Sequence, residues 1–356
     1  MKKRKRFEII ECSGTPYEIG KQYGQAAREN ILISIDDVVT KIKSVVKASK
    51  EEILANTGKY LPFAEKFDPE LIEMLKGEAD GAGVTFAEVF ALWCWFELDY
   101  YPRVAEMCTS FAVTGKATKG GKTIIGQNFD VHTTATLDVV RTKHQDGIEQ
   151  LSVVFWGGGE LTITSAGLGI VLNFVFTPEL RLAVPCCFVM HRAMRQKRMG
   201  DALGVLCTSG RSTLHYMTGC REGEIFSVET THNDFSVIQP TSDVLVHTNH
   251  FLTERLRVGT SNQPSIGGGT YLRQQRLERL IHNHYGDVTP EQMMEFMSDH
   301  HNHPLSLCNH PGGEAPSFQP AFQFHTATSV IMVPEDGLMY VTYGPPCEYE
   351  FEEYKL

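Results

Sequence analysis

The sequence predicts an α+β chain in which antiparallel sheets pack on one another and helices cover them. Three observations carry this. The first hundred residues are dominated by helical periodicity. From about Cys108 onward, strand-like segments follow one another as hairpins, parted by Lys119-Gly120-Gly121, Asp146-Gly147 and Gly157-Gly158-Gly159. Helical patterns then recur in pairs between groups of strands. Strands that are not alternated one by one with helices argue against a doubly wound parallel sheet.

Each element follows from local chemistry. A short strand spans Phe7 to Cys12. Gly14-Thr15-Pro16 opens a long amphipathic stretch to about Lys50, with Thr15 as N-cap and Pro16 at the first helical position. Its apolar residues recur at Leu32, Ile35, Val38, Val39, Ile42, Val45 and Val46. A second helix runs from Glu70 to Asp80 and ends at Gly81-Ala82-Gly83, and Thr85 caps a third through Leu98. Strands are expected at 108–114, 122–129, 137–144, 149–156, 160–165 and 168–174, then a helical pair at 184–196 and 198–208. Four more strands, 212–218, 224–229, 234–239 and 243–248, precede a Gly-rich loop from Ser261 to Gly269. Helices at 270–284 and 289–298 and strands at 321–333 and 337–343 complete the chain. No repeat and no linker interrupts it.

Composition excludes several classes of function. Of the 356 residues, 42% are hydrophobic and 21% charged, as in a folded globular protein and unlike a disordered one. The formal charge of −10 disfavours nucleic acid as a partner, because phosphate contacts need clustered cations. No run approaches the ~18 apolar residues of a membrane span. The opening Met1-Lys2-Lys3-Arg4-Lys5-Arg6 is followed by charge and not by an apolar signal core, so it reads as a solvated tip. Nine cysteines, an odd number without a Cys-x-x-Cys pair, suggest neither a disulfide framework nor a zinc ribbon. A reducing, cytoplasmic location is expected. No Gly-rich nucleotide-binding signature is present.

Several residues have the chemistry of a site. Cys108 stands where the helical part gives way to the sheets; by itself it reads as a small buried hydrophobe. Gly126-Gln127-Asn128-Phe129-Asp130 ends a strand with an amide and a carboxylate, which turn chemistry explains equally well. His247-Thr248-Asn249-His250 ends another, and an amide there can donate to an oxyanion or simply bond the local backbone. Asp299, His300, His301, His303 and His310 invite a metal reading, but their spacing matches no zinc motif, and a surface or interdomain loop with no metal is expected. Cys186-Cys187 and the aromatic stretch Trp93, Trp95, Phe96, Tyr100 and Tyr101 read as core, with an acyl pocket as the alternative for the aromatics.

Taken in order, these segments resemble the isopenicillin N acyltransferase family of N-terminal nucleophile hydrolases. The resemblance runs through Gly14-Thr15-Pro16-Tyr17-Glu18-Ile19-Gly20-Lys21-Gln22-Tyr23-Gly24, Gly77-Glu78-Ala79-Asp80-Gly81-Ala82-Gly83 and Cys108-Thr109. It continues through Gly126-Gln127-Asn128-Phe129-Asp130, Val184-Pro185, Val246-His247-Thr248-Asn249-His250 and Thr326-Ala327-Thr328-Ser329.

The resemblance implies a four-layer αββα fold, two packed antiparallel sheets with outer helices. It implies a precursor that cuts itself between Met107 and Cys108, giving residues 1–107, a helical small chain, and residues 108–356, a sheet-rich catalytic part, which stay associated in one fold. Cys108 would then be nucleophile and, through its new α-amine of reference pKa ~7.7–8.0, its own base. Asp130 would hold that amine, Asn249 would stabilise the oxyanion, and the Thr109 hydroxyl would assist cleavage. His325 stands where the penicillin enzyme has a functional arginine, which argues against penicillins as substrates; Met107 stands where it has glycine, which implies a slower or differently strained cleavage. The expected activity is acyl transfer from a small-molecule amide or acyl-coenzyme A thioester to an amine or water, with no cofactor and acyl-coenzyme A as one candidate co-substrate. The rivals are a purely hydrolytic amidase resembling bile-salt and penicillin V acylases, and an uncleaved, non-catalytic binding protein.

Overall fold

Capping chemistry sets the first elements. In the computed structural model, residues 2–99, 108–132, 134–175, 177, 181–208, 210–257, 268–310 and 324–356 are described, with the backbone alone for 41–46, 99, 132 and 324. Strand β1 is Ile9–Gly14. Helix α1, Pro16–Ala26, opens on the expected cap: Thr15 Oγ1 accepts from the Glu18 N–H, and the Glu18 carboxylate accepts from the Thr15 N–H at 2.8 Å. The predicted single helix to Lys50 instead breaks at Ala27, and α2 is Arg28–Val46. Its buried face carries Ile31, Ile35, Val38 and Val39, whereas Leu32 is exposed. The side chains of Ile42, Val45 and Val46 lie outside the described residues.

Two short helices were not anticipated, α3 (Lys50–Gly58) and α4 (Leu61–Phe67). The first carries a legible signal, since Ser49 and Glu52 form a capping box. Helix α5, Pro69–Ala82, starts on Asp68 and stops at Gly83, whose φ of 71° suits glycine. The Thr85-capped helix divides at Cys94 into α6 (Phe86–Trp93) and α7 (Trp95–Asp99).

Helices α1 and α5 approach to backbone contact. A Cβ at Gly20 would lie 1.8 Å from the Met74 carbonyl oxygen, and one at Gly77 2.0 Å from that of Tyr17. Gly24 and Gly81 repeat the arrangement one turn on. Gly20, Gly24, Gly77 and Gly81 of the two N-terminal resemblance segments are therefore the surfaces through which two helices cross.

The strands and helices that follow are β2 (Thr109–Gly115), β3 (Gly121–His132), β4 (Leu137–His144), β5 (Glu149–Phe155), β6 (Gly159–Thr164), β7 (Leu168–Asn173), α8 (Cys186–Met194) and α9 (Met199–Leu206). Then come β8 (Leu214–Cys220), β9 (Ile225–Thr230), β10 (Phe235–Ile238), β11 (Val244–His247), the unanticipated α10 (Glu254–Arg257), α11 (Gly269–Asn283) and α12 (Pro290–Met297). Strands β12 (Phe324–Val333), β13 (Leu338–Val341) and an unanticipated β14 (Glu352–Lys355) end the chain. Residues 261–267 of the predicted Gly-rich loop lie outside the described residues.

Two sheets result. One has eight strands in the order β1-β4-β5-β6-β7-β8-β9-β10, the other six in the order β11-β2-β3-β12-β13-β14. Among the described residues every strand ladder is antiparallel except β1 with β4, a parallel edge pair that the hairpin pattern did not predict. The N-terminal part is thus not purely helical: β1 completes a sheet built otherwise from residues after 108. The main core fills the space between the sheets and beneath α1–α9, and a second cluster (Phe111, Ile124, Leu277, Ile281 and Met297 among it) joins the six-stranded sheet to α11 and α12. The layers are therefore helices, sheet, sheet, helices, as predicted.

At the N-terminal tip, Lys3 pairs with Glu348 on an exposed surface, where an ion pair adds little stability, and the exposed Arg4 pairs with the buried Glu352. Among the described residues no helix is long and apolar enough to cross a membrane, and no cysteine is paired in a disulfide.

Candidate active site

Strand alternation sorts the residues around Cys108 onto two faces. Thr109, Phe111 and Val113 look toward α11 and α12, and Phe111 and Val113 pack in that cluster. Cys108, directly before β2, therefore belongs to the face turned toward the eight-stranded sheet, and it packs in the main core, fully buried. Its Sγ lies 3.8 Å from the backbone carbonyl oxygen of Asp130 on the neighbouring β3.

The Asp130 carboxyl is also fully buried. Its Oδ1 accepts from Thr326 Oγ1 at 2.7 Å across the β3–β12 ladder, and its Oδ2 has no hydrogen-bond partner among the described residues. Burial pushes this carboxyl up to about 8, although the Arg273 guanidinium and the Thr326 hydroxyl pull the other way.

Asn249 follows β11 and spans the gap to the other sheet. Its Nδ2 donates to the carbonyl of Phe174, just past β7, at 3.0 Å, and its backbone N–H donates to Thr270 Oγ1 at 3.0 Å. Phe174 stacks on Phe96, with ring centroids 6.3 Å apart. Trp93, Trp95 and Phe96 are core residues as expected. Tyr100, Tyr101 and Met107 lie outside the described residues.

One residue that sequence reading did not single out joins these pieces. Arg273, on α11 and 2% exposed, donates from Nη1 to the Cys108 carbonyl at 2.6 Å and to Thr109 Oγ1 at 2.7 Å. From Nη2 it donates to Asn249 Oδ1 at 2.9 Å. A signal for it existed. Thr270, Arg273, Leu277 and Ile281 recur at helical spacing as the buried stripe of α11, and a cation inside such a stripe needs acceptors.

His325 sits elsewhere. It pairs in register with Val131, one position from the Asp130–Thr326 pair, so it belongs to the face that Cys108 shares, half-buried and away from the Asp130 carboxyl.

Behind Asn249 lies a buried polar support. His247 Nε2 is 3.1 Å from Glu229 Oε1, and Glu229 also accepts from the N–H groups of Leu252 and Thr253. The His215 ring stacks on His247 with centroids 3.4 Å apart. Burial alone would raise the Glu229 carboxyl, but His247 and these donors hold it below its ordinary value. A separate small cavity, lined by Cys12, Tyr23, Trp93, Glu160 and His191 among others, lies under α1 and includes none of Cys108, Asp130 or Asn249.

The arrangement has the parts of covalent acyl chemistry: a buried thiol, an amide held by its oxygen so that its N–H groups point elsewhere, and a buried carboxyl with one oxygen to spare.

Comparison with known proteins places the chain in a family. The family model described as "Acyl-coenzyme A:6-aminopenicillanic acid acyl-transferase" matches residues 117–318, a span that includes Asp130, Asn249 and Arg273. The 40 kDa form of the acyl-coenzyme A:6-aminopenicillanic-acid-acyltransferase of Emericella nidulans is 26% identical over 310 residues, 84% of each chain. Weaker likenesses, each at 14% identity, are seen to two solved structures. A mutant of the conjugated bile acid hydrolase from Clostridium perfringens gives a TM-score of 0.44, covering 70% of this chain and 97% of that one. The penicillin V acylase from Agrobacterium tumefaciens gives 0.46, covering 66% and 82%. The family match spans more than half of the chain, and the chain is an enzyme that belongs to the acyl-coenzyme A:6-aminopenicillanic acid acyl-transferase family.

Proposed function

We propose that this chain is a self-processing acyltransferase and amidohydrolase that works through a thioester on Cys108. The observation that carries the reading is the convergence of the Cys108 carbonyl, the Thr109 hydroxyl and the Asn249 amide on the single guanidinium of Arg273. A buried cation that fixes the backbone of one residue and the amide of another, far apart in sequence, is suited to holding a nucleophile and an oxyanion donor in constant relation.

In the first step the Cys108 sulfur attacks the Met107 carbonyl carbon and the thiol proton passes to the departing amide nitrogen. The resulting thioester is hydrolysed by water. Residues 1–107 end in a new carboxylate, and Cys108 gains a free α-amine. Before this step that nitrogen is an amide and has no basicity, so the precursor is inactive. Afterwards the amine, with a reference pKa of ~7.7–8.0, takes the thiol proton. Asp130 Oδ2, buried and without a hydrogen-bond partner among the described residues, is the acceptor for the resulting ammonium.

In the second step the thiolate attacks the acyl carbon of a small-molecule amide or acyl-coenzyme A thioester. Asn249 Nδ2 has two N–H groups; one is committed to Phe174, and the other donates to the oxyanion. The leaving amine or thiol takes a proton from the Cys108 ammonium. An amine or water then attacks the thioester and releases the acyl group. His325, smaller than arginine and only sometimes charged, faces the substrate side and disfavours a reliance on penicillin-like carboxylates.

Intact mass under denaturing conditions tests the reading, with wild type beside Cys108→Ala. Two chains split at Met107–Cys108 in wild type alone, and a single inactive chain in the variant, are expected. A cleaved, active Cys108→Ala protein would falsify it. Adding a competing amine to the active enzyme then divides transfer from hydrolysis by the products formed.

A further inference from the structure

We propose that His300, Cys308, His310 and Cys347 form a closed, four-ligand site for one zinc ion, separate from the site at Cys108. One potential ligand atom from each residue lies within 4.8 Å of all the others. Three of those atoms converge on one nitrogen. His310 Nε2 is 2.9 Å from His300 Nε2, 3.0 Å from Cys347 Sγ and 3.6 Å from Cys308 Sγ. Zinc–sulfur bonds near 2.3 Å and zinc–nitrogen bonds near 2.0–2.1 Å place tetrahedral ligands about 3.3–3.8 Å apart. Of the three separations at His310 Nε2, the one to Cys308 Sγ already falls in that range, and those to His300 Nε2 and Cys347 Sγ are short of it by about half an ångström.

The far side of His310 supplies an independent observation. Its Nδ1 is 3.4 Å from Glu348 Oε1. A proton on Nδ1 facing that carboxylate leaves the lone pair on Nε2, aimed at the two sulfurs and at His300. A carboxylate behind a coordinating imidazole is the arrangement that fixes tautomer and ring orientation in metal sites.

The donor set selects the ion. Two thiolates and two imidazoles suit zinc and exclude magnesium and calcium, which require oxygen ligands. On binding, the two thiols release their protons to solvent, and the two negative charges balance the divalent cation. His300 is exposed and Cys308 buried, so the cluster opens to solvent on one side.

Sequence spacing concealed the site. The histidines of 300–310 match no zinc motif alone, and the completing sulfur, Cys347, lies in the turn between β13 and β14. With four protein ligands the ion has no open position, so its role is to clamp and not to catalyse. It would join the C-terminal hairpin to the segment carrying Asn309, whose N–H bonds Thr326 Oγ1, the same hydroxyl that donates to Asp130.

The test uses the full chain, untagged and purified without chelators. Metal content by mass spectrometry should be about one zinc per chain in wild type, and should fall at least tenfold in Cys347→Ser and in Cys308→Ser. Cobalt(II) added to zinc-stripped wild type should give a thiolate-to-cobalt charge-transfer band. If the serine variants do not fold, peptide mapping of alkylated wild type replaces them: Cys308 and Cys347 should be protected until a chelator removes zinc. Absence of both bound zinc and the cobalt band overturns the proposal. So does zinc content unchanged in folded Cys347→Ser, alkylation of both cysteines at full rate before chelation, or a Cys308–Cys347 disulfide in freshly purified protein.

Discussion

Arg273 fixes Asn249 by its oxygen: Nη2 donates to Oδ1 at 2.9 Å, while Nη1 of the same group holds the Cys108 carbonyl and the Thr109 hydroxyl. Asn249 therefore cannot exchange its oxygen for its nitrogen, and its N–H groups stay on the Phe174 side.

Loss of that relation should be felt in turnover. Under the proposed mechanism Asn249→Ala removes the oxyanion donor and should lower kcat roughly 10²–10³-fold with little change in the extent of self-cleavage. Arg273→Lys keeps a charge but not the fork that reaches three acceptors, and should lower kcat by about tenfold or more. Steady-state kinetics on processed enzyme checks both. Wild-type turnover in Arg273→Lys would show that the fork is dispensable.

Asp130 makes a pH prediction. Its carboxyl titrates near 8 in the fold, against an ordinary value of 3.8. The folded chain thus keeps a proton that the unfolded chain has released. Stability from this group is present in full below its ordinary value and is lost as pH rises toward the folded one. In the unprocessed Cys108→Ala chain, the slope is at most about 1.4 kcal/mol per pH unit. Asp130→Asn should flatten the decline in denaturation midpoint between about pH 5 and pH 8. An unchanged slope would assign the decline to other groups.

Glu229 predicts the opposite dependence. Its carboxyl is held low by His247 and by the Leu252 and Thr253 N–H groups. Its contribution is therefore present above its unfolded pKa and is lost as pH falls through the lower folded value. Glu229→Gln should cost about 1–3 kcal/mol at neutral pH, and the gap to wild type should narrow below about pH 4. Urea titrations across pH measure this.

The crossing of α1 and α5 predicts severe intolerance of a single methyl group. Gly20→Ala or Gly77→Ala would drive a Cβ into a backbone carbonyl on the facing helix, which a flexible side chain cannot relieve. Each should cost about 3 kcal/mol or more. Gly58→Ala, which meets nothing within 4 Å, is the control and should be neutral or better. Thermal melts of the three variants make the comparison.

Sequence alone determined what is local. The Thr15 and Thr85 caps, the glycine turns, the run of hairpins and the positions of Cys108 and Asn249 beside strand ends were legible, because each depends on chain neighbours; Asp130, expected at a strand end, lies inside β3, which runs on to His132 in its ladder with β12. Helix breaks at Ala27 and Cys94 were not legible, since neither residue type opposes a helix. Tertiary structure decided which distant residues meet. It brought β1 beside β4, seated Arg273 between Cys108 and Asn249, and carried Cys347 across the chain to Cys308 and His310. Such meetings follow from the order of strands in a sheet and from which helix face is buried against it. Hydrophobic periodicity specifies that a face is buried, but not what lies on the other side.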